Sequence, residues 1–141
     1  MRSQVKLIGY GVLATLLCLT LLHAGPANAV PGTRDAFEGK WAIEVTPDDG
    51  GKPYRDTIVF KNLKLTSEKL KKEGFQECDY DVDTRGGQIG TFTATAKAKP
   101  DGGEAKWSGT ATLGNLKGTL VVTTKKGGTV NYSFTGVKAD R

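Results

Sequence analysis

From Gly39 onward, apolar and polar residues alternate in short runs separated by turn-forming clusters. In Gly39 to Thr46 the apolar positions are Trp41, Ile43 and Val45, and in Asp56 to Phe60 they are Ile58 and Phe60. Further along, Phe92, Ala94, Ala96 and Ala98 recur at every second position, as do Ala105, Trp107, Gly109, Ala111 and Leu113. Leu116, Gly118, Leu120 and Val122 follow, and Val130, Tyr132, Phe134 and Gly136 close the series. The residues between them are almost all Thr, Ser, Lys, Asn and Glu. Period-two alternation is the mark of a strand with one dry and one wet face. The separating clusters are Asp48-Asp49-Gly50-Gly51, Lys61-Asn62, Arg85-Gly86-Gly87, Pro100-Asp101-Gly102-Gly103, Gly114-Asn115 and Lys126-Gly127-Gly128. They are too short for a parallel crossover, so neighbouring strands must pair antiparallel.

One interval departs from this rhythm. After a short strand from Leu63 to Thr66, the run Ser67 to Gly74 has a capping serine, good helix formers and a terminal glycine, which predicts one or two helical turns. Leu70 and Phe75 are its expected contacts with the sheet. With a strand from Phe75 to Thr84 the total is eight. The predicted fold is all-β: an eight-stranded antiparallel up-and-down barrel, a meander, with one short helix between strands 3 and 4. Closure removes the exposed edges that an open sheet would present.

Phe37, Gly39, Lys40 and Trp41, at the start of the first strand, resemble the G-x-W signature that opens lipocalin and avidin-type (calycin) barrels. The resemblance implies that Trp41 packs across one barrel end with a basic residue from near the chain end against it, Lys138 or Arg141. The layout of the Asp56 to Phe60 strand, the Thr66-Ser67-Glu68 helix start, Gly74-Phe75 and Trp107-Ser108-Gly109-Thr110 also looks like small exported bacterial proteins, a likeness that implies no activity. The chain lacks the late T-D-Y signature and the helix after the last strand that mark lipocalins, and two tryptophans are fewer than an avidin biotin site uses.

The first residues supply the domain plan. Arg2 and Lys6 precede an apolar run from Leu7 to Leu22, and Ala27-Asn28-Ala29 follows as a cleavage site, so residues 1–29 read as a signal peptide. Residues 30–36 read as a flexible N-terminal segment and 37–141 as a single barrel domain. Cleavage leaves 141 minus 29, or 112 residues, and removes the only histidine (His23) and the only methionine (Met1). The expected location is secreted or periplasmic, with no integral membrane span after cleavage. The mature charge is 18 minus 15, or +3, with scattered lysines, which gives no reason to expect nucleic acid as a partner.

Without an imidazole, serine and cysteine triads and histidine-ligated metals are excluded. The remaining chemical candidate is Glu77-Cys78-Asp79-Tyr80-Asp81-Val82-Asp83, whose period places four carboxylates on one face of a strand. Thr84 stands where a calcium loop needs glycine and Gly90 where it needs the closing glutamate. A glycosidase would need one of these carboxyls desolvated. The stripe therefore reads as a solvated outer face balanced by neighbouring lysines, and Cys78 as a buried structural thiol. Lys64, Lys69, Lys71 and Lys72 form a solvated cap able to meet an acidic partner or lipid headgroup.

No catalytic residue, metal or cofactor is expected, and the chain is read as a monomeric non-enzyme. Function then turns on the barrel interior. The leading expectation is a small apolar or amphipathic ligand held inside by Trp41, Phe92, Trp107, Tyr132 and Phe134. Its rival is a filled barrel that binds a protein or glycan at its surface, as an inhibitor or accessory subunit. A cavity of roughly 300 Å³ or more would favour the first.

Overall fold

In the computed structural model residues 36–83, 89–100 and 102–139 are described. The expected signal peptide (residues 1–29), most of the expected N-terminal segment, the expected turn at Arg85-Gly86-Gly87 and Arg141 lie outside them. The described chain forms β1 (Gly39–Pro47), β2 (Tyr54–Lys61), β3 (Lys64–Ser67), α1 (Glu68–Lys72), β4 (Cys78–Asp83), β5 (Ile89–Lys97), β6 (Glu104–Thr112), β7 (Asn115–Thr123) and β8 (Thr129–Lys138). Each strand pairs antiparallel with the next, and β8 returns to β1, so the sheet closes as an eight-stranded meander barrel. This architecture is consistent with a calycin-like fold.

Alternation fixes which side chains point inward, as the sequence pattern predicts. Trp41, Ile43 and Val45 of β1 are buried while Lys40, Ala42, Glu44 and Thr46 are exposed, and β6 repeats the arrangement with Ala105, Trp107, Gly109 and Ala111. The outward faces of β5 and β6 carry Thr91, Thr93, Thr95, Lys97, Lys106 and Ser108, all exposed. A membrane-spanning barrel shows the reverse, an apolar band outside. No helix among the described residues is long and apolar enough to cross a membrane.

Three strand starts shift from the sequence reading, the second strand beginning two residues earlier, at Tyr54. The third strand starts at Lys64, because Asn62 and Leu63 form the hairpin loop with φ of 52° and 60°. The fourth starts at Cys78; Phe75 makes only an isolated bridge to Ala98 as the chain leaves the helix. Two consecutive positive φ values are those of a type I′ turn, whose geometry suits the sheet twist. The β6–β7 loop repeats it with Leu113 at 44° and Gly114 at 87°. A leucine held in the left-handed region costs about 1 kcal/mol relative to asparagine or glycine.

The core explains the abundance of small inward residues. Phe37, Phe60 and Phe92 meet in one cluster with centroids 5.0 to 5.5 Å apart, and Tyr80 joins at 4.9 Å from Phe60. Trp107 and Phe134 form a second cluster at 5.4 Å. The rings rest directly on glycines. A Cβ on Gly90 would lie 2.7 Å from Phe37 Cε2, and one on Gly109 would lie 2.7 Å from Phe92 Cε1. Large faces small across the barrel, and the buried rings occupy the space above the inward glycines.

Candidate functional site

The five residues expected to line an interior site do point inward, and packing brings four of them into the core. Trp41, Phe92, Trp107 and Phe134 are between 0 and 2 % exposed. Tyr132 sits half-buried near one rim, its ring edge-on to Tyr54 at 6.0 Å. The cavity bounded by Leu65, Ser67, Leu70, Phe75, Ala96 and Trp107 measures about 10 Å³. That is room for one water molecule at most.

Trp41 occupies the place the G-x-W resemblance implies. Its indole Nε1–H donates to the Phe37 carbonyl at 2.7 Å, and Lys138 Nζ lies 5.7 Å from the ring centroid, in cation–π range. Phe37, fully buried, closes this end of the barrel together with Phe60, Tyr80 and Phe92.

At the opposite end α1 is held by a carboxylate that the sequence reading overlooked. Asp56 shares the inward face of β2 with Ile58 and Phe60 and is 8 % exposed. Its Oδ2 accepts from Ser67 Oγ at 2.5 Å, and its Oδ1 accepts from the backbone N–H groups of Thr57 at 2.7 Å and Lys69 at 3.0 Å. Ser67 Oγ in turn accepts from Leu70 N at 3.0 Å, the expected N-cap bond. Both carboxylate oxygens are thus engaged in tying the helix to β2. The signal was present in the sequence, since Asp56, Ile58 and Phe60 are two residues apart. Beside it, Lys69 Nζ stands 4.7 Å from the Tyr54 ring centroid. Burial, then the neighbouring Tyr132, Asp56 and Glu73, pushes the Tyr54 phenol well above its usual range and keeps it neutral.

The acidic stripe lies outward. Glu77, Asp79, Asp81 and Asp83 are exposed, and Asp79 Oδ1 pairs with Lys64 Nζ at 2.6 Å. Among the described residues no group of three or more His, Cys, Asp or Glu side chains is disposed to hold a metal ion. Because such pairs are solvated, Asp79→Asn combined with Asp81→Asn is expected to change stability by under about 1 kcal/mol in urea melts. Calcium should leave the melting temperature of the wild type unchanged; a rise of several degrees would show that the stripe binds the ion.

Cys78 points inward and is 8 % exposed, with Sγ 3.9 Å from the Leu65 carbonyl. Burial, followed by the charge of Asp79, pushes its thiol up to about 11. At pH 8 roughly one molecule in a thousand then carries a thiolate. Labelling of the native protein with iodoacetamide should be negligible over the time in which the urea-unfolded chain reacts fully. Equal rates would contradict the buried placement.

Where the interior offers no room, the exterior does. An open groove of about 730 Å³ runs between α1 and the outer face of β2, β1 and β8. Register sets its floor: Ala42 lies between Thr57 and Val137, and Glu44 between Arg55 and Thr135. Glu68, Lys69 and Lys72 of α1 form the wall. Lys69 also pairs with Glu73 at 3.0 Å, one helical turn on. A second groove of about 620 Å³ crosses the outer face of β4 and β5 between Asp79, Asp81, Thr93, Thr95 and Lys97. Neither tryptophan is exposed, and no aromatic side chain lines either groove. Comparison with protein-family models, with curated proteins and with solved structures found no match.

Proposed function

We propose that this chain is an exported, non-catalytic barrel that works as a surface-binding module, its partner a polypeptide seated in the groove beside α1. The observation that carries the reading is the filled interior: six aromatic rings are under 2 % exposed, and the cavity between Trp107 and α1 measures about 10 Å³, far below the roughly 300 Å³ of a small-molecule site. The groove supplies what a chain segment needs, charges of both signs and threonine hydroxyls over a floor of Ala42 and Val137. A polypeptide suits it better than a glycan, because sugar faces favour an aromatic platform and this groove has none.

Export rests on the leader of residues 1–29. The non-catalytic reading rests on the lack of histidine beyond that leader, on the solvated acidic stripe and on the structural engagement of Asp56.

Native mass spectrometry of protein purified from its own source tests these points together. The expected species begins at Val30, retains no small apolar molecule, and carries a polypeptide partner that Arg55→Glu with Lys72→Glu releases. A stoichiometric lipid or other apolar ligand retained by the barrel would overturn the reading in favour of an interior site.

A further inference from the structure

The two tryptophans of the chain are both buried, but only one of their indole N–H groups is satisfied by the protein. Trp41 Nε1–H donates to the Phe37 carbonyl, whereas Trp107 Nε1 has no hydrogen-bond partner among the described residues. A buried N–H left unpaired loses the bond it made to water in the unfolded chain and gains nothing in return. Folded proteins therefore supply nearly every such donor with a protein acceptor or an ordered water. Trp107 also lies on the wall of the cavity of about 10 Å³ beside α1. That volume matches one water molecule.

The cavity has its cause in the path of the chain. β3 and β4 pair only at Lys64–Asp79 and Leu65–Cys78, because the residues between the two strands leave the sheet to form α1. Past Leu65 the strands part, and Ser67 and Gln76 on the cavity wall share no ladder. Ser67 also brings a polar group with capacity to spare. A serine hydroxyl has one hydrogen to give and two positions at which to accept. Ser67 Oγ gives its hydrogen to Asp56 Oδ2 and accepts from Leu70 N, which leaves one accepting position. An N–H that needs an acceptor and a hydroxyl oxygen that can take another donor thus belong to residues on one small cavity without bonding to each other. Water accepts and donates at once, so it suits both.

We propose that this cavity is a binding site for a single ordered water, which accepts from Trp107 Nε1–H and donates to Ser67 Oγ. The water joins the barrel core to the cap that holds α1, in one hydrogen-bond chain from Trp107 through Ser67 to Asp56. β6, β2 and the helix that forms the groove wall are then linked through the interior. The inference is independent of the partner in that groove.

The test uses the wild-type chain, in which the satisfied indole of Trp41 serves as the internal control. In NMR spectra of the isotope-labelled protein, water cross-peaks to Trp107 Hε1 are expected with opposite signs in the laboratory and rotating frames, as a long-lived bound water gives. Trp41 Hε1 should show none. A crystal structure at a resolution that reveals ordered solvent should show one density peak within hydrogen-bond distance of both Trp107 Nε1 and Ser67 Oγ. That density separates a bound water from proton exchange relayed through the Ser67 hydroxyl. The rival partner for the indole is the Phe134 ring, whose centroid lies 5.4 Å from that of Trp107. An N–H aimed at that ring would shift Trp107 Hε1 strongly upfield and give no water cross-peak. That result, water cross-peaks of equal strength at both indoles, or an empty cavity in the density would each overturn the proposal.

Discussion

Replacing Trp41 by alanine is expected to cost about 3 to 5 kcal/mol, a large share of the stability of a domain this size. The indole is fully buried, pairs across the sheet with Ile58 on one side and Lys138 on the other, and donates its Nε1–H to the Phe37 carbonyl. Truncation leaves a cavity behind β1 and deprives a buried carbonyl of its donor. It also loosens Phe37, whose ring plugs that end of the barrel. Glu44→Gln, on the exposed face of the same strand, should stay within about 0.5 kcal/mol. Urea melts of the two variants distinguish them, and equally mild effects would show that Trp41 is not a core residue.

The second large effect is expected at a position where the side chain is missing. Gly118 faces Gly109 across β6–β7 and Phe134 across β7–β8. A Cβ there would collide with the Ser108 carbonyl oxygen and would stand 2.6 Å from Gly109 Cα and 2.7 Å from Phe134 Cζ. Two of those three atoms are backbone, so they cannot swing aside, and Gly118→Ala should destabilise by about 3 kcal/mol or more. Thr119→Val, outward on the same strand, keeps the β-branched shape and should stay within about 0.5 kcal/mol. A stable Gly118→Ala variant with native chemical shifts would show that the sheet is looser here than the structure describes.

These two residues illustrate what the sequence makes legible. Period-two alternation identifies the inward face of nearly every strand, and with it Trp41, Trp107 and Phe134, because a closed barrel imposes one dry face on each strand without exception. The Ser67 cap and Gly74 likewise announce the helix, since capping is a local interaction. Whether the barrel is hollow was not legible. A row of inward glycines and alanines reads equally as empty space or as seats for rings, and only the three-dimensional register shows Phe92 and Phe134 lying against Gly109. Asp56 was missed for a different reason. Its position in the alternation marks it as inward, but the partners that make burial tolerable, Ser67 and the Lys69 amide, come from a helix start eleven and thirteen residues away. The groove beside α1 could not be read at all, because it joins β8 to β1 and β2 through barrel closure.

The filled interior, on which the functional reading depends, is tested most directly by titrating the protein with a medium-chain fatty acid while following ring signals by NMR. Trp41, Phe92, Trp107 and Phe134 are expected to keep their chemical shifts up to the solubility limit of the fatty acid, with any perturbation confined to outward residues. A saturable shift of those four rings would contradict the account and establish an interior ligand site.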